Sequence, residues 1–252
     1  MGGLNVLPIQ SKIKFDWVVV LLNIVSFSGG KDSTALLLMM LERGIKVDYI
    51  VCVDTGKEFP QMYEHIKQVE EYIGRKITVL KYAKSYDYWL GEHIKTRGKN
   101  KGKIGYGWAT PGARWCTSLK TQLITKFLKS LGDEYREFIG IAYDEAHRCK
   151  DKVYPLVEWK ITEADALKYC YDKGFDWGGL YEHFHRVSCF CCPLKSISEL
   201  RQLYQHYPAQ WQIIKEMDIK AYNKFRADYS IAELEDRFKK ELRYEQITLP
   251  QN

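Results

Sequence analysis

The segment Ser26–Thr34 constrains the fold of this chain most, because it joins two glycines to a lysine, an aspartate and four hydroxyl-bearing residues. An apolar, β-branched stretch, residues 15–25, precedes it and predicts a buried strand. Good helix formers follow at 35–43 and stop at Gly44, a residue suited to a helix C-terminus. Glycines let the backbone approach an anion, and the N–H groups of a helix N-terminus favour negative charge. We therefore expect this segment to bind a nucleotide phosphate, with an ordinary strand–turn–helix connection as the alternative.

The segment lacks the glycine spacing of a Walker A loop and that of the dinucleotide-binding folds. Its Ser-Gly-Gly-Lys-Asp-Ser-Thr run, residues 28–34, instead resembles the PP-loop of the adenine nucleotide α-hydrolase superfamily. That superfamily includes ATP pyrophosphatases and phosphoadenylyl-sulfate reductases. The resemblance implies catalytic roles for Lys31 and Asp32. It also implies that the nucleotide contacts the whole loop: Ser26, Phe27, Ser28, Gly29, Gly30, Lys31, Asp32, Ser33 and Thr34.

Strand and helix patterns alternate after this segment. Residues 47–53 predict a second buried strand and residues 76–80 a third strand, and residues 64–73 have apolar side chains at helical spacing. Such alternation predicts an α/β fold with a doubly wound, mostly parallel sheet, whose ligand site lies beyond the carboxyl ends of the strands. The resemblance implies an adenine-nucleotide-binding domain over residues 14–195. Residues 196–252 predict a helical tail of three helices packed on it.

Asp54, Thr55 and Gly56 end the second predicted strand, so they are expected beside the phosphate loop. They resemble a segment that phosphoadenylyl-sulfate reductases carry at this position. The resemblance implies that all three contact the nucleotide, and that Asp54 helps Asp32 hold Mg²⁺. A plain turn is the alternative, because these residue types are common where strands end.

Arg114, Cys116 and Lys120 open a predicted amphipathic helix that runs through Leu131. The stretch resembles the Arg-x-Cys, with a Lys four residues later, of sulfur-handling members of the superfamily. The resemblance implies a chemically active Cys116 and nucleotide contacts from Arg114 and Lys120. A thiol near a helix N-terminus is shifted toward thiolate, which suits metal binding, although a structural buried cysteine is also compatible.

Residues 137–142 predict a further strand, and the segment after it resembles the family's Gly-Ile/Val-Arg-x-x-Glu-x-x-Arg motif. Ala142 stands where many relatives have arginine, so one anion contact is missing. Arg148 is then the expected contact to the nucleotide or to a second substrate.

Cys189 and Cys192 form a Cys-x-x-Cys pair that precedes a proline, a spacing that brings two thiols within reach of one metal centre. The arrangement resembles that of cluster-dependent tRNA-thiolating enzymes. The resemblance implies a 4Fe-4S cluster held by Cys116, Cys189 and Cys192, with Cys191 as a reserve ligand. Zinc, a redox dithiol and unliganded buried thiols remain as alternatives. Cys52, Cys149 and Cys170 are interpreted as ordinary apolar residues.

The formal net charge of +6 favours anionic partners, nucleic acid among them. Residues 95–103 alternate cations with small residues, which predicts either a solvated surface loop or a loop that contacts phosphates or nucleic acid. Tyr106 and Trp108 follow, for core packing or for stacking on a base. The chain has no signal-peptide pattern and no membrane-length apolar run, and its seven cysteines suit thiols or metal ligands. We expect a cytoplasmic protein.

Three functions are compatible with these features. The preferred one is an ATP- and Mg²⁺-dependent enzyme that activates tRNA or DNA for sulfur transfer and releases pyrophosphate, with a sulfur-donor protein such as a cysteine desulfurase as a partner. A phosphoadenylyl-sulfate or adenylyl-sulfate reductase is the second. Those reductases resemble one another in a C-terminal cysteine, whereas the 60 residues after Cys192 contain none. A catalytically silent nucleotide-binding partner protein is the third.

Overall fold

The computed structural model describes residues 21–132 and 134–248. Four strands form one sheet of order β3-β2-β1-β4, in which every neighbouring pair is parallel. The strands are β1 (Leu22–Ser26), β2 (Tyr49–Asp54), β3 (Thr78–Lys81) and β4 (Tyr135–Ile139). This arrangement confirms the predicted α/β class with a parallel sheet.

The sheet is flanked by helices that connect its strands and continue beyond it. They are α1 (Lys31–Glu42), α2 (Pro60–Ile73), α3 (Tyr86–Gly91), α4 (Trp115–Ser130), α5 (Pro155–Glu158), α6 (Glu163–Asp172), α7 (Leu180–His183), α8 (Ile197–His206), α9 (Pro208–Asp218) and α10 (Ile231–Thr248). None of the helices within the described ranges is long and apolar enough to cross a membrane.

The predicted elements are present, but several of their ends differ from the prediction. The first strand is observed from Leu22, and residues 15–20 of the predicted strand lie outside the described residues. The predicted helix 64–73 begins earlier, at Pro60, because proline suits the first turn of a helix. The strand predicted at 137–142 instead pairs from Tyr135 and ends at Ile139. A strand begins and ends where its backbone pairs with the neighbouring strand, and the sequence of one segment does not show where that pairing stops.

Helix α1 and helix α4 cover the sheet with different apolar clusters. Most of α1 is buried, including the run Ala35–Met40, as expected for a helix that is apolar on nearly every side. Leu128 of α4 packs with Ile24 of β1 and Val51 of β2 in a separate, smaller cluster. The central strand β1 is therefore buried from both faces. Its carboxyl end places the predicted phosphate loop at the edge of the sheet where doubly wound folds bind ligands.

Candidate functional site

The loop between β1 and α1 turns sharply at Gly29, whose φ is +79°. This left-handed backbone conformation favours glycine, and a Cβ atom there would also lie 2.9 Å from the Met62 methyl group, which would have to shift. The Ser28 and Ser33 hydroxyl oxygens lie 3.0 Å apart, and the Ser33 hydroxyl donates to the Gly30 carbonyl at 3.0 Å. The predicted phosphate loop is thus a compact, internally bonded turn at a helix N-terminus.

Two aromatic residues that are distant in sequence form hydrogen bonds with the backbone of this loop. The Trp177 indole N–H donates to the Gly29 carbonyl oxygen at 2.7 Å. The Tyr181 hydroxyl accepts from the Lys31 backbone N–H at 2.8 Å. Sequence reasoning missed both, because the adjacent glycines at 178 and 179 mark a turn without indicating which loop the turn touches.

Lys31 projects into a group of carboxylates rather than into solvent. Its ammonium lies 3.1 Å from Glu163 Oε1 and 3.8 Å from Asp32 Oδ2. Carboxylate oxygens of Asp32, Glu145 and Glu163 all lie within 4.8 Å of one another. Sequence reasoning missed Glu145 and Glu163 as site residues. A Thr162–Asp165 capping box begins α6, where Glu163 occupies the first position.

This carboxylate group has the electrostatics of a cation site. Burial raises the pKa of Asp32 to about 6; Lys31 opposes the shift, and Glu163 and Glu145 add to it. Asp32 Oδ1 is buried and accepts no hydrogen bond from any described residue. Oxygen ligands of this kind fit a hard cation such as Mg²⁺, which uses one or two carboxylates together with substrate phosphates.

Asp54 lies at the end of β2, as predicted, and is engaged in the turn that follows. One of its oxygens accepts from the Gly56 N–H at 2.7 Å and from the Tyr63 hydroxyl at 2.9 Å, and the other lies 3.5 Å from the Lys81 ammonium. Thr55 is buried and donates to a Glu58 carboxylate oxygen at 3.0 Å. A role for Asp54 beside Asp32 on Mg²⁺ stays a prediction.

A cavity of about 310 Å³ opens at the carboxyl ends of β1 and β2. Its walls include residues 26–28 of the phosphate loop, Asp54, Glu58 and Lys120. The Lys120 ammonium lies 3.5 Å from Glu58 Oε1, so this predicted nucleotide contact already has a carboxylate partner.

A second cavity, of about 800 Å³, contains the predicted cysteine centre. Cys116, Cys189 and Cys192 all line it, together with Arg114. The two cavities have residues 186–188 in common, so they adjoin along one short segment. Cys191, the predicted reserve ligand, is fully buried and lies among the core residues. Cys52 and Cys170 are also buried in the core, while Cys149 is half-buried.

The Cys189 thiol has polar partners in the wall between the two cavities. Its sulfur lies 3.2 Å from Glu58 Oε1, 3.4 Å from Thr55 Oγ1 and 3.9 Å from the Lys120 ammonium. Burial, with a further contribution from Glu58, raises the pKa of Cys189 to about 12. The unliganded thiol is therefore protonated at neutral pH, and a bound metal would have to displace its proton.

Lys195 supplies positive charge beside these thiols, and sequence reasoning missed it. The residue lines the cysteine cavity and is only 4% exposed. Its ammonium donates to the Ser188 hydroxyl at 3.1 Å and lies 4.8 Å from the Phe184 ring centre. Burial lowers its pKa. Three thiols and a buried cation in one cavity fit an anionic thiolate–metal cluster.

Arg148 lines neither cavity, and the same is true of Lys31 and Asp32 in the carboxylate group. Arg148 is exposed and forms an ion pair with Glu145, so it contacts the carboxylate group from outside. Its predicted contact to a nucleotide or a second substrate stays a prediction.

A parallel sheet with the Ser28–Thr34 loop after its first strand indicates the PP-loop class of adenine nucleotide α-hydrolase-like proteins. The sequence profile of the phosphoadenosine phosphosulfate reductase domain matches residues 23–195, which is more than half of the chain. The chain belongs to the phosphoadenosine phosphosulfate reductase domain family.

Three curated relatives are similar to this chain. Protein MJ0066 of Methanocaldococcus jannaschii is 27% identical over 75% of this chain and 39% of its own length. Protein MJ0973 of the same organism is 25% identical over 73% of this chain and 44% of its own length. The nin region protein ORF290 of Escherichia phage lambda is 30% identical over 71% of this chain and 68% of its own length. The chain thus spans less than half of the two archaeal relatives.

Among solved structures, U34-tRNA thiolase NcsA from Methanococcus maripaludis, with its [4Fe-4S] cluster, aligns over 85% of this chain and 80% of its own. The TM-score is 0.43 and the sequence identity is 13%.

Proposed function

We propose that the protein is an ATP pyrophosphatase that activates an oxygen atom of a nucleic acid base, in tRNA or DNA, for replacement by sulfur. The observation that carries the proposal is the common wall of residues 186–188 between the phosphate-loop cavity and the cysteine cavity. A nucleotide in the first cavity would present its α-phosphate near a group held in the second. Adjacent sites of this kind suit a reaction in which activation is followed by sulfur transfer.

The phosphate loop supplies the nucleotide contacts. Backbone N–H groups at the start of α1 and the hydroxyls of Ser28 and Ser33 would bind the phosphate chain. Asp32, with Glu145 and Glu163 beside it, would hold Mg²⁺, which neutralises phosphate charge when bound. The Lys31 ammonium is paired with Glu163. Bound Mg²⁺ would compete with Lys31 for this carboxylate, so Lys31 would move toward the negatively charged phosphates when the nucleotide binds.

In the proposed reaction, the base oxygen attacks the α-phosphorus of ATP, the α–β phosphoanhydride bond breaks, and pyrophosphate leaves. Hydrosulfide then adds to the carbon that bears the adenylated oxygen, the carbon–oxygen bond breaks to release AMP, and the sulfur loses its proton. The sum converts one carbonyl, ATP and hydrosulfide into one thiocarbonyl, AMP and pyrophosphate. Because sulfur enters at the oxidation state of sulfide, the reaction needs no reductant.

The cysteine centre would receive the sulfur. Cys116, Cys189 and Cys192 would hold a 4Fe-4S cluster, which supplies a binding place for sulfide when present. Lys195 would offset the negative charge of three thiolates inside the protein. Glu58 lies 3.2 Å from the Cys189 sulfur and would accept its proton as metal binds.

The products of α-³²P-ATP test the first step. Anaerobically purified protein is incubated with ATP, Mg²⁺ and either unmodified bulk tRNA or single-stranded DNA. Labelled AMP that depends on added nucleic acid supports the proposal, whereas labelled ADP shows cleavage at the wrong bond. Lys31→Gln should lower AMP formation at least about 100-fold, because a positioned charge at the transferring phosphate is removed. Lys46→Gln, whose lysine pairs with Asp48 on the surface, is the matched control.

Sulfur insertion is measured separately, with sodium sulfide as donor and retardation of the thiolated RNA or DNA in a mercury-containing gel. Labelled AMP without retarded nucleic acid would contradict sulfur transfer while leaving the pyrophosphatase step intact.

A phosphoadenylyl-sulfate reductase is the second candidate, favoured by the family profile that spans residues 23–195. Thiol-dependent sulfite release from 3′-phosphoadenylyl sulfate that persists when Cys116, Cys189 and Cys192 are each replaced by serine would support the reductase and contradict our proposal. Tight ATP binding without product under every condition would instead indicate a catalytically silent nucleotide-binding protein.

A further inference from the structure

A long segment of this chain carries positive charge without any negative charge. Residues 93–132 contain nine lysines and arginines and no aspartate or glutamate. The first part folds into a short hairpin, residues 94–104, which we call the basic arm. An antiparallel bridge between Ile94 and Ile104 closes it, and the Lys95 and Lys103 backbones pair at 2.9 Å.

The cations of the basic arm have no acidic partners. Arg97, Lys99, Lys101 and Lys103 are all exposed, and none forms an ion pair with a described residue. Most lysines elsewhere on the described surface have a carboxylate nearby, as Lys168 does with Asp172 at 2.6 Å. Unpaired positive charge concentrated on one projection favours a polyanion.

The base of the basic arm is fixed by the helical C-terminal region. A Cβ atom at Gly107 would lie 2.1 Å from Asn223 Oδ1, so the two segments are in close contact. The Asn223 side chain pairs with the Trp108 backbone through bonds of 2.7 and 3.1 Å. The Tyr222 hydroxyl donates to the Tyr106 carbonyl at 3.0 Å. The cations are thus presented on a preformed support rather than on a free loop.

The base of the basic arm also leads to the cysteine cavity. The His93, Tyr106 and Trp115 rings stack in order, with centroid distances of 5.1 and 5.5 Å. Trp115 is followed by Cys116, which lines the cavity together with exposed Arg114. Unpaired cations therefore continue along the chain to the edge of the cavity.

We infer that the basic arm binds the sugar–phosphate backbone of a single-stranded or looped nucleic acid whose reacting base enters the cysteine cavity. The statement that a base reacts in the cysteine cavity rests on the proposed function. Binding of nucleic acid to the basic arm does not, and it is measured without any catalytic reaction. The Tyr222 ring lies beside the cations and is 65% exposed. Such a combination favours single-stranded nucleic acid, because cations contact the phosphates while an aromatic ring stacks on a base. Ile94 and Ile104 are the apolar side chains exposed on the arm, at 58% and 60%, which is a small surface for membrane insertion.

The test uses the full chain and measures fluorescence anisotropy with labelled oligouridine and with labelled single-stranded DNA at several salt concentrations. The test variant is R97Q/K99Q/K101Q/K103Q. The control, K67Q/K150Q/K168Q/K240Q, removes the same charge from exposed lysines elsewhere. We expect the arm variant to bind at least about tenfold more weakly and to lose about 3 units from the slope of log affinity against log salt, since each single-strand phosphate contact contributes about 0.7. The control variant should keep most of the affinity and slope.

If the two variants lost the same nucleic acid affinity, the net charge of the protein and not the position of the basic arm would explain the binding, and the inference would be overturned. So would unchanged binding by the arm variant, absence of binding to both probes by the unmodified protein, or preferential binding of the basic arm to phosphatidylserine vesicles. Fluorescent ATP-analogue binding in each variant checks that the nucleotide domain remains folded. Nucleic acid binding through the basic arm without any AMP formation would contradict the proposed function alone.

Discussion

His65 lies beneath the phosphate loop and joins two of the residues that shape it. Its Nε2 is 3.0 Å from Thr34 Oγ1, and its ring stacks on Trp177 with centroids 4.4 Å apart. Trp177 in turn holds the Gly29 carbonyl. Burial lowers the pKa of His65 from 6.5 to about 3, so the imidazole is neutral in the folded protein.

We predict that His65 makes the protein less stable as pH falls. Between pH 6.5 and about 3 the unfolded chain binds a proton at His65 that the folded chain excludes, so the free energy of unfolding decreases as pH is lowered through this window. The loss from pH 7 to pH 5 should be about 2 kcal/mol. Urea unfolding at both pH values measures it. His65→Gln, which retains a hydrogen-bonding side chain, should remove this part of the pH dependence; an unchanged dependence would contradict the prediction.

At the scale of elements, the carboxyl end of β4 meets the first turn of α1 at Gly140. A Cβ atom there would lie 2.7 Å from the Asp32 carbonyl and 2.7 Å from Ser33 Cα. Backbone atoms cannot yield as a flexible side-chain tip can. Glycine therefore sets how closely β4 approaches the helix that carries Lys31 and Asp32.

We predict that Gly140→Ala separates these two elements. Overpacking against backbone should lower the free energy of unfolding by about 1–3 kcal/mol. The shift of Asp32 should also weaken Mg²⁺-dependent ATP binding by about tenfold or more, since catalytic and metal groups tolerate little displacement. Urea unfolding and titration calorimetry with ATP measure the two effects. Gly112→Ala is the control, because nothing lies within 4 Å of a Cβ atom at that position. If Gly140→Ala and Gly112→Ala had the same free energy of unfolding and the same ATP affinity, the close approach of β4 to α1 would contribute to neither, and the prediction would be wrong.

At the scale of the whole molecule, the fold brings together thiols that are distant along the chain. Cys116 comes from the start of α4, and Cys189 and Cys192 come from the loop before α8. Lys195 flanks them from the same loop, and Glu58 from the segment between β2 and α2. The cysteine cavity therefore exists only when the sheet domain and the later loops are assembled.

We predict that protein purified under strict exclusion of oxygen is brown and contains iron and sulfide. The C116S/C189S/C192S variant should lose the colour and the iron, because each replacement removes a thiolate ligand. Cys149→Ser, at a half-buried cysteine outside this cavity, should retain both. Absorption spectra and metal analysis give the result. A colourless unmodified protein with one zinc per chain would exclude the cluster and favour a structural metal instead.

Local patterns were sufficient for the parallel sheet and for the position of the Ser28–Thr34 turn at the end of β1. The grouping of Cys116 with Cys189 and Cys192 came instead from the family resemblance, and all three line one cavity. The Ser28–Thr34 motif and the alternation of elements lie within short stretches, where apolar period and glycine position carry the signal. Glu163 gave no such signal, and Glu145 matched the glutamate of the family motif over residues 140–148 without being identified as a site residue. Glu163 reaches Lys31 because α6 packs against α1. Glu145 joins the same carboxylate group from the short helical segment Tyr143–Arg148. Nor did any pattern show that the C-terminal region supports the basic arm, since one asparagine, Asn223, makes most of that contact.

The bonds from Trp177 and Tyr181 to the phosphate loop have a consequence for protein synthesis. The loop lies near the beginning of the chain, but both aromatic residues are translated about 150 residues later. A nascent chain that has exposed β1, α1 and β2 outside the ribosome still lacks the donors and acceptors that hold Gly29 and Lys31. We expect ribosome-bound chains halted before residue 177 to bind no ATP, and chains halted far enough beyond residue 181 to gain that capacity abruptly.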